Sequence, residues 1–255
     1  MPARKGRLDA KAAGYSAAVT KQRWLDRPPV RDFPPASARA RIVALGFGLG
    51  AAGVFLGIFA IVAANGLQPL EFDLWWRDLL ESQRTEVGVF IAFIPAFVGG
   101  TVVMVVIPIL VVAAFFWRRR RWSAVNMATA IIVVVAIGAP LSYVVGRERP
   151  EGTLAEDLAT SFPSGHTAVA TTFAITLALL LRRWYVTVAG VLWIVFMMWG
   201  RTYLSTHWLS DVFGGLFEGI AVSLLVWAAI ETWRASGDSP ASMDEPSAER
   251  GSIST

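Results

Sequence analysis

Cysteine is absent from the 255 residues. Disulfides, thiolate nucleophiles and zinc–thiolate centres are therefore excluded. Charge is sparse: Asp, Glu, Lys and Arg make up 16% of the chain, against about 25% in soluble domains. Histidine is nearly missing, with only His166 and His207 present. What fills the chain instead is apolar surface, 55% of all residues. It is gathered into runs of about 18 residues or more, which read as membrane-spanning helices. The expected fold is therefore all-α, a polytopic membrane protein rather than a soluble core.

Six apolar spans are expected, over residues 42–64, 87–117, 123–145, 163–181, 184–203 and 208–233. The second is long for a bilayer that needs about 20 residues. It holds Pro95, Gly99-Gly100 and Pro108, so a bend or tilt is expected there. Residues 1–41 carry ten Lys/Arg against three Asp. Pro28-Pro29 and Pro34-Pro35 break any helix in that stretch. It reads as a disordered basic tail, followed by a six-span domain over 42–233 and an acidic disordered tail over 234–255.

Orientation follows from short-loop Lys and Arg. Arg118–Arg121 and Arg182-Arg183 fall on the same side as the basic tail if there are six spans. That side is expected to be cytoplasmic, with both termini there. The opposite loop at 66–86 carries five acids against Arg77 and Arg84. Within it, Phe72, Trp75, Trp76, Leu79 and Leu80 recur at helical spacing, opposite a row of Asp73, Arg77 and Glu81. This reads as a short helix on the outer leaflet, most simply a connector resting on the spans. The basic tail fits topology or anionic lipid contact; nucleic-acid binding is not supported.

Both histidines fall on the outer side, in segments rich in anion-binding chemistry. In Ser161-Phe162-Pro163-Ser164-Gly165-His166, Ser161 is expected to cap a helix and Pro163 to sit in its first turn. The N–H groups of Ser164, Gly165 and His166 would then form an anion site, with His166 able to donate a proton. An ordinary helix start with an incidental histidine explains that segment equally well. In Arg201-Thr202-Tyr203-Leu204-Ser205-Thr206-His207-Trp208-Leu209-Ser210-Asp211, Ser205 or Thr206 is expected to cap the last span. His207 and Asp211 then share one helix face. The carboxylate would fix the imidazole tautomer, leaving the other ring nitrogen to attack. Arg201 would fork onto phosphate oxygens. The bland alternative is a snorkelling arginine and a structural His–Asp pair. Ionisable groups at membrane depth favour function. Arg147-Glu148-Arg149-Pro150 places arginines on the outer side, against the positive-inside bias.

These three segments resemble the signature motifs of the type 2 phosphatidic acid phosphatase superfamily: Lys-x6-Arg-Pro, Pro-Ser-Gly-His and Ser-Arg-x5-His-x3-Asp. The second is complete at Pro163, Ser164, Gly165 and His166. The third matches at Arg201, His207 and Asp211, with Gly200 in place of serine; the first matches at Arg149 and Pro150, with Ser142 in place of lysine.

The resemblance implies a six-helix bundle whose active site lies at the extracytoplasmic helix ends. It implies metal-independent hydrolysis of a membrane lipid phosphate or pyrophosphate, without a cofactor. His207 would be the nucleophile that becomes phosphohistidine, Asp211 its orienter and His166 the proton donor. Arg149, Arg201, Ser164 and Gly165 would hold the phosphoryl oxygens, and Arg147 would supply the charge absent at Ser142. Undecaprenyl pyrophosphate is the leading substrate expectation. Phosphatidic acid, phosphatidylglycerophosphate, and a weak paralogue that binds lipid phosphate without turnover are the alternatives.

Overall fold

The computed structural model describes residues 32–99, 101–155 and 160–237. The expected disorder of the two tails concerns residues mostly outside these ranges. Among the described residues all regular structure is helical: α1 (Ala38–Ala64), α2 (Glu71–Ser82), α3 (Glu86–Val98), α4 (Thr101–Trp117), α5 (Arg121–Val145), α6 (Gly165–Leu181), α7 (Trp184–Tyr203) and α8 (Leu209–Gly237).

Four of these helices, α1, α5, α7 and α8, are long and apolar enough to cross a bilayer. A fifth crossing arises if α3 and α4 form one span, bent by 49°. The expected second span is thus two helices, and the break falls after Pro95, at Gly99. Proline removes a helix hydrogen bond and clashes with the preceding turn, so a bend is the predictable outcome. The fourth expected span, at α6, is apolar but has only 17 residues. At 1.5 Å per residue it is about 26 Å long. Large apolar side chains point outward along this bundle: Phe47, Phe90, Phe97, Trp117 and Val144 are each at least 70% exposed. In water such a surface would drive aggregation; in lipid it is the expected exterior.

Helix α8 is the hub, packed against α1, α5, α6 and α7. Its contact with α6 is made by Gly215 and Gly219, a small-residue pair four apart that lets helix backbones meet. A Cβ on Gly215 would lie 2.4 Å from the Ser164 carbonyl oxygen and 3.1 Å from the Ala168 nitrogen. Closeness here lets the Ser164 N–H donate to the Asp211 carbonyl at 3.1 Å, joining the starts of the two helices. Gly215→Ala is expected to destabilise the protein by about 1–3 kcal/mol, because backbone rather than a side chain must move. A thermal melt in detergent measures this; an unchanged midpoint would mean the crossing is not tight.

At the opposite end, the Asp32 carboxylate accepts from the Trp122 and Ser123 N–H groups at 2.8 and 3.1 Å. It thereby caps α5 from a residue far away in sequence. The α5 C-terminus closes on Gly146 in the left-handed region, at φ 63°. Glycine adopts that conformation without a Cβ penalty, and the turn delivers Arg147 to the bundle interior.

Candidate active site

His207 lies in the turn between α7 and α8 and is 4% exposed. Its Nδ1 is 2.8 Å from the Ser161 carbonyl oxygen. A carbonyl only accepts, so Nδ1 carries the proton and Nε2 of the neutral ring keeps its lone pair. Nε2 is 3.5 Å from Nη1 of Arg149, which also donates to the Thr206 carbonyl. The nucleophile-like nitrogen therefore faces a guanidinium that could hold an anion beside it.

The tautomer is set by Ser161 rather than by Asp211, contrary to the sequence expectation. Asp211 Oδ2 stands 3.8 Å from Nδ1, too far for a hydrogen bond. That oxygen instead accepts the Trp208 N–H at 2.8 Å. Asp211 thus caps its own helix and faces the imidazole as a nearby charge. Neither Ser205 nor Thr206 is the cap. Ser205 takes a left-handed turn conformation (φ 52°) and accepts from Arg84, while the Thr206 hydroxyl donates to the Arg201 carbonyl.

Ser161 is likewise not a cap. Its N–H donates to the Arg147 carbonyl and its hydroxyl to the Glu148 carbonyl. Helix α6 starts two residues beyond Pro163, at Gly165. The Ser164 N–H is taken by Asp211, and its hydroxyl accepts from Thr167. Ser164 is wholly buried and does not line the cavity that holds the histidines, so it offers no open donor there. Gly165 is exposed, with nothing within 4 Å of where a Cβ would be. Its amide is accessible to a ligand oxygen.

His166, Gly165, Arg149 and His207 line one cavity of about 420 Å³. The remainder of its wall is largely apolar, with Met104, Val105, Ile131, Val134, Val135 and Val169 from α4, α5 and α6. A polar mouth with a hydrocarbon-lined flank matches an amphiphile better than a soluble metabolite. Ser142 also lines this cavity, bonded at 2.9 Å to Thr160. A neutral hydroxyl pair thus occupies the place of the expected lysine. Arg201 is 1% exposed near the end of α7 and is not among the cavity-lining residues. A Cβ at Gly200 would lie 2.6 Å from Pro95 Cγ. The departure from serine there follows from the packing of α7 on α3.

Arg147 does not enter the cavity, and the expectation that it replaces the missing lysine fails. Its Nε donates to the Leu67 carbonyl and Nη1 to Ser210 Oγ and Asp211 Oδ1. Its Nη2 donates to the Gln68 carbonyl and Asp73 Oδ2. A guanidinium has five N–H groups, so none is left for phosphate. Asp73 was expected on the outer charged row of α2. It is 1% exposed, whereas Phe72 and Trp75 on the apolar row are 44% and 61% exposed. Three donors from other elements, Arg147 Nη2 and the N–H and hydroxyl of Ser210, hold Asp73 on the inner side of α2, and sequence periodicity gives no sign of them.

Comparison with known proteins bears on this geometry. The profile of the PAP2 superfamily matches residues 123–235. An undecaprenyl-diphosphatase of Sulfolobus acidocaldarius is 29% identical over 108 residues, covering 40% of this chain and 52% of that protein. The putative undecaprenyl-diphosphatase YbjG of Escherichia coli is 38% identical over 73 residues, covering 28% of this chain and 36% of that protein. The chain therefore matches about half and about a third of these two relatives' lengths. The fold resembles a transmembrane PAP2 type phosphatidylglycerolphosphate phosphatase from Bacillus subtilis, with TM-score 0.63 and 20% identity over 70% of this chain and 93% of that one. It also resembles LpxE of Aquifex aeolicus, with TM-score 0.54 and 23% identity over 62% and 95%.

Proposed function

We propose that this chain, which belongs to the PAP2 superfamily through residues 123–235, is a membrane phosphatase that hydrolyses a lipid phosphate or diphosphate through His207. The observation that carries the reading is the state of that ring. Nδ1–H is held by a carbonyl, Nε2 carries the lone pair beside Arg149, and His166 shares the cavity. Nε2 attacks phosphorus, the P–N bond forms, and the P–O bond to the lipid breaks. His166 gives its proton to the departing oxygen. Neutral His166 then takes a proton from water as that water attacks phosphorus, the P–N bond breaks, and phosphate leaves. Arg149 and the Gly165 amide stabilise the phosphoryl charge. Asp211, 3.8 Å from Nδ1, balances the positive charge on the phosphorylated ring. Neither step calls for a metal.

Undecaprenyl diphosphate is the favoured substrate, supported by the two relatives' names and by the apolar cavity wall. Phosphatidic acid and phosphatidylglycerophosphate are the nearest competitors. The reading includes six spans, counting α3–α4 as one and α6 as another. Arg118–Arg121 and Arg182-Arg183 would then lie in the cytoplasm with both termini, and the His207 end would face outward. A second reading, lipid-phosphate binding with weak turnover, is favoured by the Ser142–Thr160 pair standing where a cation is expected.

Purified protein in detergent, given each of these lipids with chelator present, is expected to release inorganic phosphate, fastest from undecaprenyl diphosphate. Release only after metal is restored would reject the metal-free mechanism. Retained lipid binding with no release would select the second reading.

A further inference from the structure

We propose that Asp73, on the outer helix α2, is a positioning residue that acts on His207 through Arg147 and Asp211. The inference rests on the phosphohistidine reading above. Asp73 lies outside the segment that matches the family, which begins at residue 123. It is nonetheless built into the site. Oδ1 accepts the Ser210 N–H at 2.7 Å, and Oδ2 accepts Ser210 Oγ at 2.7 Å, Arg147 Nη2 at 2.9 Å and the Leu70 N–H at 3.0 Å. The side chains of Asp73, Arg147 and Asp211 are all fully enclosed.

The geometry divides the Arg147 guanidinium between two parts of the chain. Three of its bonds end on residues 67, 68 and 73, around the start of α2; two end on Ser210 and Asp211 in the first turn of α8. Arg147 therefore bolts α2 to the helix start that carries Asp211, with His207 immediately before it. A clamp of this kind could have been neutral, with one carboxylate for one guanidinium. Here two carboxylates share it, and the formal charge of the buried triad is −1. When His207 Nε2 bonds to phosphorus and Nδ1 keeps its proton, the ring becomes cationic. The surplus negative charge then offsets that cation in a site with little water to screen it. Asp73 supplies the surplus without touching substrate.

The test uses the full-length protein in detergent with the lipid phosphate on which wild type turns over. The variants are Asp73→Asn, Ser210→Ala and, as a control on the exposed side of α2, Asp78→Asn. Size-exclusion profile, melting midpoint, kcat and KM are measured for each. Asp73→Asn is expected to lower kcat by about 10–100-fold, the fold-change that corresponds to the loss of one charged hydrogen-bonding partner, with KM within about twofold. kcat is referred to the folded protein in the size-exclusion peak at a temperature well below the midpoint, because a structural role alone would lower the midpoint and the folded fraction and leave kcat per folded molecule unchanged. Asp78→Asn is expected to match wild type. Asp73→Asn with wild-type kcat overturns the proposal, as does a KM rise with kcat unchanged. If Asp73→Asn does not yield folded protein, Ser210→Ala decides. It removes one hydroxyl bridging Asp73 and Arg147, and kcat lower by about threefold or more is expected from a single lost bond. Wild-type kcat there overturns the proposal. Absence of turnover in wild type would instead defeat the phosphatase reading.

Discussion

Asparagine at position 207 is expected to reduce phosphate release by roughly 10⁴–10⁶-fold, the scale reached when a covalent nucleophile is removed from an enzyme. Asn can still offer an N–H towards the Ser161 carbonyl, so the turn between α7 and α8 keeps its anchor. What it lacks is the Nε2 lone pair, 3.5 Å from Arg149 Nη1. The variant should therefore fold and bind lipid phosphate while failing to form the P–N bond. Two measurements check this together. Release of inorganic phosphate should disappear, and acid-labile label from phosphate-labelled lipid should no longer appear on the protein. A His207→Asn protein that retains a tenth of wild-type turnover would show that His207 is not the nucleophile. The contrast with His166 is informative. Losing a proton donor costs about 10²–10⁴-fold, and a substrate with a good leaving group needs that proton less.

Methionine at Arg147 is expected to destabilise the protein by about 3–5 kcal/mol, the cost of removing one partner from a buried ion pair. The reason is specific to this site. Asp73 and Asp211 both ion-pair with Arg147, at 2.9 and 2.5 Å, and all three side chains are enclosed. Without the guanidinium, two carboxylates face each other with no cation between them. The carbonyls of Leu67 and Gln68 also lose their donor. For a domain of this size each kcal/mol shifts the melting midpoint by about 2–4 °C, so a fall of roughly 10 °C is expected in detergent. A phosphate-binding Arg147 would behave differently, leaving stability intact and weakening only substrate binding. A variant with a wild-type midpoint and a raised KM would restore that role.

Gly165, His166, Arg149 and His207, which line one cavity, stand out in the sequence because their signals are local. Pro163, Ser164, Gly165 and His166 are consecutive, and His207 and Asp211 are one helical turn apart. Functional chemistry at this spacing needs no knowledge of the fold. The kink between α3 and α4 was also legible, since Pro95 and the glycines after it disrupt a helix wherever they occur. Local reading failed where a hydrogen bond had a distant alternative. Local spacing makes Ser161 a cap for the helix beside it, but its carbonyl accepts from His207, 46 positions away. Spacing alone makes Asp211 the partner of His207, one turn before it. It instead caps that helix and pairs with Arg147, 64 positions earlier. Periodicity puts Asp73 on the charged row opposite the apolar face, yet it is buried against the Arg147 guanidinium.

The sequence by itself determined that this chain is a helical membrane protein with its two histidines beside Pro-Ser-Gly and Arg–Asp segments. Hydrophobic run length, helix breakers and the types of nearby side chain are enough for that, because each acts over a few residues. Only the tertiary structure decided which acceptor holds the His207 proton, where the fifth N–H of Arg147 goes, and that Asp73 of a helix outside the matched segment bonds to Arg147 and Ser210. Those outcomes are competitions among buried donors and acceptors. In a low-dielectric interior each must be satisfied by whatever the packing of α2, α5 and α8 brings within about 3 Å.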